Sequence, residues 1–460
     1  MVAMSFMRIV RRPPVLILGA CFIILLLLWL PSLQYPIVSD TAIYALLGES
    51  MWTNNTYTLF GGPYAKHLPL HAFLSYPFVW ALGYSIGMKV SSLLAGWGVL
   101  LATYLLLKKT ISKEVALVSV VLLTFHHGFV LMVALGSADL LFTMFFLLSV
   151  VSYVTAGRDS RGYFFAFVFA GLASLTRYNG VPLFMLFVGH TLLFRRQDLG
   201  SKHYRIGLGL GLGLIGAWFL RNFLVFGDPF YTTYTLELSN QSPGFVAQVL
   251  SNAKFYMHPA RNLLPILLLG SIIGLWKYGK THGFLVFAML TAWVLTSFWW
   301  VQGMRFAFPG YPILMGFAVL GLFGVCRSRK WLASTIIVLI IITHLPALCL
   351  YSSGSCNSWF DRSIGGIPPD LGLSSEGFYT WDIARDYINE HAEPEAYVNA
   401  TLSLLSEVWQ HGVFRDDLNI VENIYDVCPA YQISADSEGG EVLYVTEDAP
   451  HRYVHLFRCR

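Results

Sequence analysis

Asp40, Glu49, Lys66 and His67 crowd into one short stretch that follows an apolar run. The stretch reads S-D-T-A-I-Y-A-L-L-G-E-S-M-W, then an Asn/Thr/Gly-rich turn, then G-G-P-Y-A-K-H-L-P-L. Hydrocarbon is costly surroundings for such groups, so Ser39 to Leu70 is expected just outside a membrane, directly after the first span. Asp40 and Tyr44 are four apart and share one face of a helix, while Leu46, Leu47 and Met51 cover another. A helix of that kind lies on the bilayer surface and shows one acid to the lipid–water boundary. A carboxylate placed there can take a proton from a hydroxyl nucleophile.

Asp139, Arg177, Arg221, Asp228 and Arg305 stand at or beside the ends of later apolar runs. Ionisable groups in such places are functional candidates by default. Two acids and several cations on one face suit a polyanionic ligand. Arg and Lys grip phosphate through charge-assisted hydrogen bonds, and an acid is left for proton transfer. A lipid-linked phosphosugar would carry its phosphate at this depth. Tyr44, Glu49, Tyr64, Arg221 and Asp228 are the candidates for the remaining substrate contacts. Each has a structural counterpart reading. Ser137 and Asp139 are both good helix N-caps, Arg177 and Arg305 could anchor span ends, and Arg221 could complement a helix C-terminus. His126 and His127 lack the Cys or second His cluster that a metal site needs and read as packed side chains. The Gly207–Gly216 run reads as close helix packing; it lacks the preceding strand and the G-K-[ST] of a phosphate loop.

The elements that must position these residues are membrane helices. Of 460 residues, 56% are hydrophobic and 12% charged, and mean hydropathy is +0.59. A soluble chain would carry about 25% charged residues. Apolar runs of 14–20 residues, near the roughly 17–25 that a bilayer crossing takes, predict about eleven spans. They are placed near Val15–Leu30, Val90–Leu107, Val115–Val133, Leu140–Thr155, Tyr163–Thr176 and Val181–Phe194, then Ile206–Leu220, Leu263–Trp276, Phe284–Trp300, Phe308–Val325 and Trp331–Leu350. The interrupted segment 32–87 is read as an outer-face loop with surface-lying helices. With the N-terminus cytosolic, Lys108/Lys109/Lys113, Arg158/Arg161, Arg195/Arg196/Lys202/Arg205, Lys277/Lys280 and Arg327/Arg329/Lys330 all fall inside, as the positive-inside rule requires. The tail from Tyr351 then lies outside. Its helix from Trp381 to His391, strand at 396–400, helix to Gln410, strand near Asn419–Val421 and strand at 441–446 predict a small α/β domain over 351–460. Cys349, Cys356, Cys428 and Cys459 sit in or next to that tail without metal-ligand spacing; their pairing stays open. The expected class is therefore an α-helical polytopic membrane protein over 1–350 with a C-terminal α/β extracytoplasmic domain.

Taken in order, several stretches resemble the protein O-mannosyltransferase and aminoarabinose-transferase superfamily of GT-C glycosyltransferases. These are the Ser39–Met51 and Gly61–Leu70 segments, G-S-A-D-L-L-F-T-M-F-F-L-L, G-L-A-S-L-T-R-Y-N-G-V-P-L, R-N-F-L-V-F-G-D-P-F-Y and Q-G-M-R-F-A-F-P-G-Y-P. The resemblance implies a GT-C fold and transfer of one sugar from a polyprenyl-phosphate donor to a protein, lipid or glycan hydroxyl. It matches Asp40 to the catalytic aspartate, Asp139 to a second outer-loop acid, Arg177 to a frequent Lys, and Arg305 to a cation near the donor phosphate. The implied reaction inverts the anomeric centre, with Asp40 as general base; a divalent ion at Asp139 is the one cofactor it leaves room for. Thr41 replaces the frequent Glu after the aspartate, and His67-Leu68-Pro69-Leu70 replaces Lys-Pro-Pro-Leu. Lys66 or His67 could then contact the phosphate, and charge at neutral pH favours Lys66. No W-W-D-Y-G block is present, which argues against an oligosaccharyltransferase. The competing reading is a transporter or flippase for an anionic lipid or solute using the same charges.

Overall fold

The computed structural model describes residues 14–34, 37, 40–59, 62–157, 160–234, 245–256, 265–294, 304–326, 331–332, 334–340, 387–388, 390–394, 396–399, 419–421, 430–434, 441–445 and 453–457. The first span forms α1 (Pro14–Trp29), and the polar stretch after it forms α2 (Asp40–Asn54) and a two-stranded hairpin, β1 (Thr58–Leu59) with β2 (Gly62–Pro63). Two helices follow, α3 (Pro69–Leu82) and α4 (Tyr84–Thr110), broken apart at Gly83, whose φ is +80°. The bundle continues through α5 (Lys113–Thr124), α6 (His127–Leu135), α7 (Ala138–Thr155), α8 (Arg161–Thr176), α9 (Pro182–Phe194) and α10 (Lys202–Phe226). Beyond it come α11 (Phe245–Tyr256), α12 (Pro265–Tyr278), α13 (Gly283–Val294), a short turn Met304–Ala307 and α14 (Tyr311–Val325).

Five described stretches are long and apolar enough to cross a membrane alone: Pro14–Leu33, Tyr84–Thr110, Ala138–Thr155, Lys202–Phe226 and Arg305–Val325. Arg161–Thr176, Tyr178–Phe194, Leu267–Tyr278 and Gly283–Val294 are apolar but shorter. The expected single span Val115–Val133 is instead bent by 60° between α5 and α6. The carbonyl of His126 accepts from Phe129 and Val130 N–H, which starts a new helix there. Within 32–87 the described helices are short, α2 with 15 residues and α3 with 14, before α4 opens at Tyr84.

Lipid supplies no hydrophobic drive between helices, so close packing and internal hydrogen bonds hold such a bundle. Small residues do this between α8 and α10. A Cβ at Gly211 would stand 2.3 Å from the Phe167 carbonyl oxygen, and one at Gly207 would stand 2.7 Å from Phe164 Cα. Gly207 and Gly211 form a packing seam, whereas Gly209, Gly213 and Gly216 face open space. Hydroxyls inside the helices turn back onto their own backbone: Thr103 donates to Val99 O at 2.7 Å, Thr124 to Val120 O at 2.8 Å and Ser174 to Ala170 O at 2.8 Å. No polar group is thereby presented to hydrocarbon.

In the tail, five strands form one sheet in the order β4 (Asn419–Val421), β3 (Tyr397–Asn399), β5 (Ala430–Ser434), β7 (Tyr453–Phe457), β6 (Glu441–Val445). β3 runs parallel to β4 and β5, while β7 is antiparallel to β5 and β6. The three expected strands are present at their expected places. Ala430–Ser434 and Tyr453–Phe457 were not anticipated, because five residues each are too few for their period-two alternation to stand out. Residues 387–388 and 390–391 are helical; the expected helix to Gln410 and the boundary near Tyr351 lie outside the described residues.

Candidate active site

Asp40 is the first residue of α2, immediately after the first span, as the sequence places it. Two contacts fix that position. Lys89, near the start of α4 and fully buried, donates from Nζ to the Ser32 carbonyl at 2.6 Å, tying down the segment that leads into α2. Thr41 donates from Oγ1 to Leu135 O at 2.9 Å, tying the first turn of α2 to the end of α6.

The hairpin brings His67 to the acid. Its Nε2 stands 3.5 Å from Asp40 Oδ1, and its Nδ1 is 2.6 Å from the Tyr64 hydroxyl. The Tyr57 hydroxyl donates to the His67 carbonyl at 2.8 Å. Tyr44, one turn after Asp40 and buried, sets its ring edge-on to His67 and His71, each with centroids 4.9 Å apart. Lys66 turns elsewhere, its ammonium 5.3 Å from the Tyr234 ring centroid. Of the two candidate cations in the hairpin, His67 is the one recorded against Asp40.

Arg305 closes the other side. From the turn Met304–Ala307 its Nη1 reaches Asp40 Oδ2 at 3.1 Å. Asp139 and Arg177 form a second ion pair: Nε to Oδ1 at 2.7 Å, and Nη2 to Oδ2 at 2.9 Å. Ser137 caps α7 by accepting from Asp139 N–H at 3.2 Å and donates to Asp139 Oδ2 at 2.8 Å. Asp139 therefore stands inside the first turn with Ser137 as the cap. The Phe306 ring lies under both guanidinium groups, 5.6 Å from Arg177 and 4.8 Å from Arg305. Two acid–arginine pairs thus share one aromatic neighbour.

The remaining candidates have other partners. Arg221 donates to Tyr64 O at 2.8 Å and Tyr57 O at 3.0 Å, with the rings of Tyr57, Trp218 and Phe226 around it. It clamps the hairpin that presents His67. Glu49 accepts from the Tyr84 hydroxyl at 2.5 Å, and Asp228 accepts from Phe230 N–H at 2.9 Å. No recorded contact links Glu49 or Asp228 to Asp40.

Electrostatics favour an ionised Asp40. Burial pushes its carboxyl up, but Arg305 and His67, with Arg177 further off, outweigh that and hold it well below the usual carboxylate range. His71, missed in the sequence, behaves oppositely. It is buried in α3, and its Nε2 must carry the proton because it faces the Gly136 carbonyl at 3.3 Å. Burial pulls this imidazole down from 6.5 to about 4. A folded value below the unfolded one gives stability that is complete above pH 6.5 and is lost as pH falls toward 4. The melting temperature should therefore drop across that window, and drop less in His71→Asn; an equal drop would contradict the assignment.

Gly136 joins α6 to the Asp139 cap with φ +76°, a left-handed conformation costing L-residues about 1–2 kcal/mol. A Cβ there would also stand 2.8 Å from Thr41 Cγ2. Gly136→Ala should lower stability by at least that strain and disturb the Thr41 anchor beside Asp40, read as a lower melting temperature; an unchanged melting temperature would contradict this account.

Both Asp139 oxygens face Arg177. Among the described residues, no group of three or more His, Cys, Asp and Glu side chains gathers where it could hold a metal ion. What the cluster offers is one partly exposed carboxylate between an arginine and an imidazole, a carboxylate able to accept a proton and donors able to hold an anionic leaving group.

Residues 75–219 match the dolichyl-phosphate-mannose-protein mannosyltransferase family. No curated protein sequence matches the chain. Among solved structures, ArnT from Cupriavidus metallidurans bound to undecaprenyl phosphate is similar with a TM-score of 0.59 at 12% identity, over 96% of this chain and 97% of that one. The apo state of the same protein gives a TM-score of 0.60 at 13% identity, with the same coverage. The oligosaccharyltransferase AglB from Archaeoglobus fulgidus, in complex with an inhibitory peptide and a dolichol-phosphate, gives 0.54 at 13% identity, over 87% of this chain and 63% of that one. The fold is that of the GT-C enzymes, and the family match with the shared architecture indicates a multi-pass membrane glycosyltransferase.

Proposed function

We propose that this GT-C-fold chain transfers a single sugar from a polyprenyl-phosphate-linked donor to a hydroxyl acceptor at the outer face of the membrane. The observation that carries the reading is the Asp40 carboxylate held between His67 at 3.5 Å and Arg305 at 3.1 Å, directly after the first span. The acceptor oxygen attacks the anomeric carbon while Asp40 takes its proton. The bond from that carbon to the phosphate oxygen breaks with inversion, and the electron pair stays on the phosphate. Arg305 and His67 stabilise that growing charge. Asp139, locked to Arg177, shapes the wall next to the base. The tail domain contributes to acceptor choice.

The outer-face assignment rests on charge. Lys108 and Lys109 end α4, while the other end of that helix carries Lys89, which anchors the site. Asp139 opens α7, and Arg161 follows its far end. Basic groups at the ends opposite the site support an outer-face position for it. The alternative of a transporter or flippase draws support from neither the cluster nor the matches above.

Native mass spectrometry of the purified protein tests the donor class. A co-purifying polyprenyl phosphate or its sugar ester, displaced by added undecaprenyl phosphate, is the expected result. Retention of ordinary phospholipid alone, with no displacement, would contradict it.

A further inference from the structure

Asp40 is held at both of its oxygens. His67 Nε2 faces Oδ1 at 3.5 Å and Arg305 Nη1 faces Oδ2 at 3.1 Å. Cations so placed favour the charged carboxylate and make it a poor base. They are also the two groups assigned above to the donor phosphate. One residue pair cannot fully serve both anions at once.

The two acid–arginine pairs differ in how they could open. Asp139 and Arg177 are joined through both carboxylate oxygens, with side chains only 2% and 16% exposed. Asp40 and Arg305 meet through one recorded nitrogen–oxygen contact, with side chains 28% and 39% exposed. Water-accessible pairs of this kind hold weakly. Arg305 sits on the four-residue turn Met304–Ala307 and reaches Asp40 from there. His67 is held in place by Tyr64 at Nδ1 and by the Tyr44 ring edge. Of the two partners of Asp40, Arg305 is the more exposed, at 39% against 2% for His67.

We propose that Asp40 and the donor phosphate compete for Arg305, so that seating the donor is the event that frees Asp40 to act as base. The inference rests on the proposed function. It also couples the two ends of the reaction. A sugar phosphodiester gains negative charge on phosphate as the sugar leaves, drawing the cations toward it while Asp40 takes the acceptor proton. Donor binding then precedes productive acceptor binding.

The test measures affinity for undecaprenyl phosphate in nanodiscs with wild type, Asp40→Asn and Asp40→Ser, each with Arg305 intact and with Arg305→Gln. Removing the competing carboxylate should tighten binding about tenfold in whichever Asp40 variant is folded, and the gain should vanish in the Arg305→Gln background. Equal or weaker binding by the folded Asp40 variants overturns the competition. A gain that survives Arg305→Gln also overturns it, since that marks a general loss of negative charge. Wild type that binds lipid without this pattern overturns the competition alone. Wild type that binds no polyprenyl phosphate overturns it together with the proposed function.

Discussion

Asp40→Asn lowers sugar transfer by about 10²–10⁴-fold, the range expected when a positioned general base is lost. Asparagine keeps the volume of the side chain, and its one carbonyl oxygen can still accept from Arg305, so the variant should fold. It removes the ability to take a proton. The loss should fall on kcat and leave donor KM no higher, because the cations that hold phosphate remain in place. Turnover within tenfold of wild type, measured with a polyprenyl-phosphate sugar, would rule out Asp40 as the base.

Asp139→Asn should destabilise the fold by about 3–5 kcal/mol, the cost of leaving a buried partner charge uncompensated. Its carboxylate is only 2% exposed and meets Arg177 through both oxygens, at 2.7 and 2.9 Å. Burial alone would lower the affinity of Arg177 for its proton, and Asp139 more than reverses this. Without Asp139, the guanidinium stays charged and buried beside Phe306. Replacing both members, Asp139→Asn with Arg177→Gln, should recover part of the loss, since no unpaired charge is left. Thermal unfolding in detergent reads both effects. A single variant as stable as wild type would show that the pair is not the buried lock described here.

The sequence and the structure meet most closely at Asp40. A lone acid after an apolar run has few structural excuses, and it does open a helix with Tyr44 one turn on. The short helices after the first span, part of the glycine seam and three of the tail strands were likewise legible, because each follows from a local pattern. What was not legible depends on contacts distant in sequence. Lys89 sits inside an apolar helix, and only coordinates reveal that it anchors Ser32, 57 residues earlier. Thr41 looked like the loss of an acid next to Asp40, yet its hydroxyl fixes α2 to Leu135. His71 carries no local signal beyond its type; its role comes from meeting Gly136 and Tyr44 together. Charge at neutral pH favoured Lys66 over His67 for the phosphate, but the hairpin geometry, clamped from behind by Arg221, aims His67 at Asp40. Arg221 itself showed only its charge in the sequence, and its fork is engaged by hairpin carbonyls.

The most direct test uses the purified protein in proteoliposomes loaded with its co-purifying polyprenyl-phosphate sugar, labelled in the sugar, with hydroxyl acceptors outside. The account predicts sugar transfer to an external acceptor with inverted anomeric configuration and release of polyprenyl phosphate. Movement of the lipid or its headgroup across the bilayer with the sugar–phosphate bond intact would contradict it.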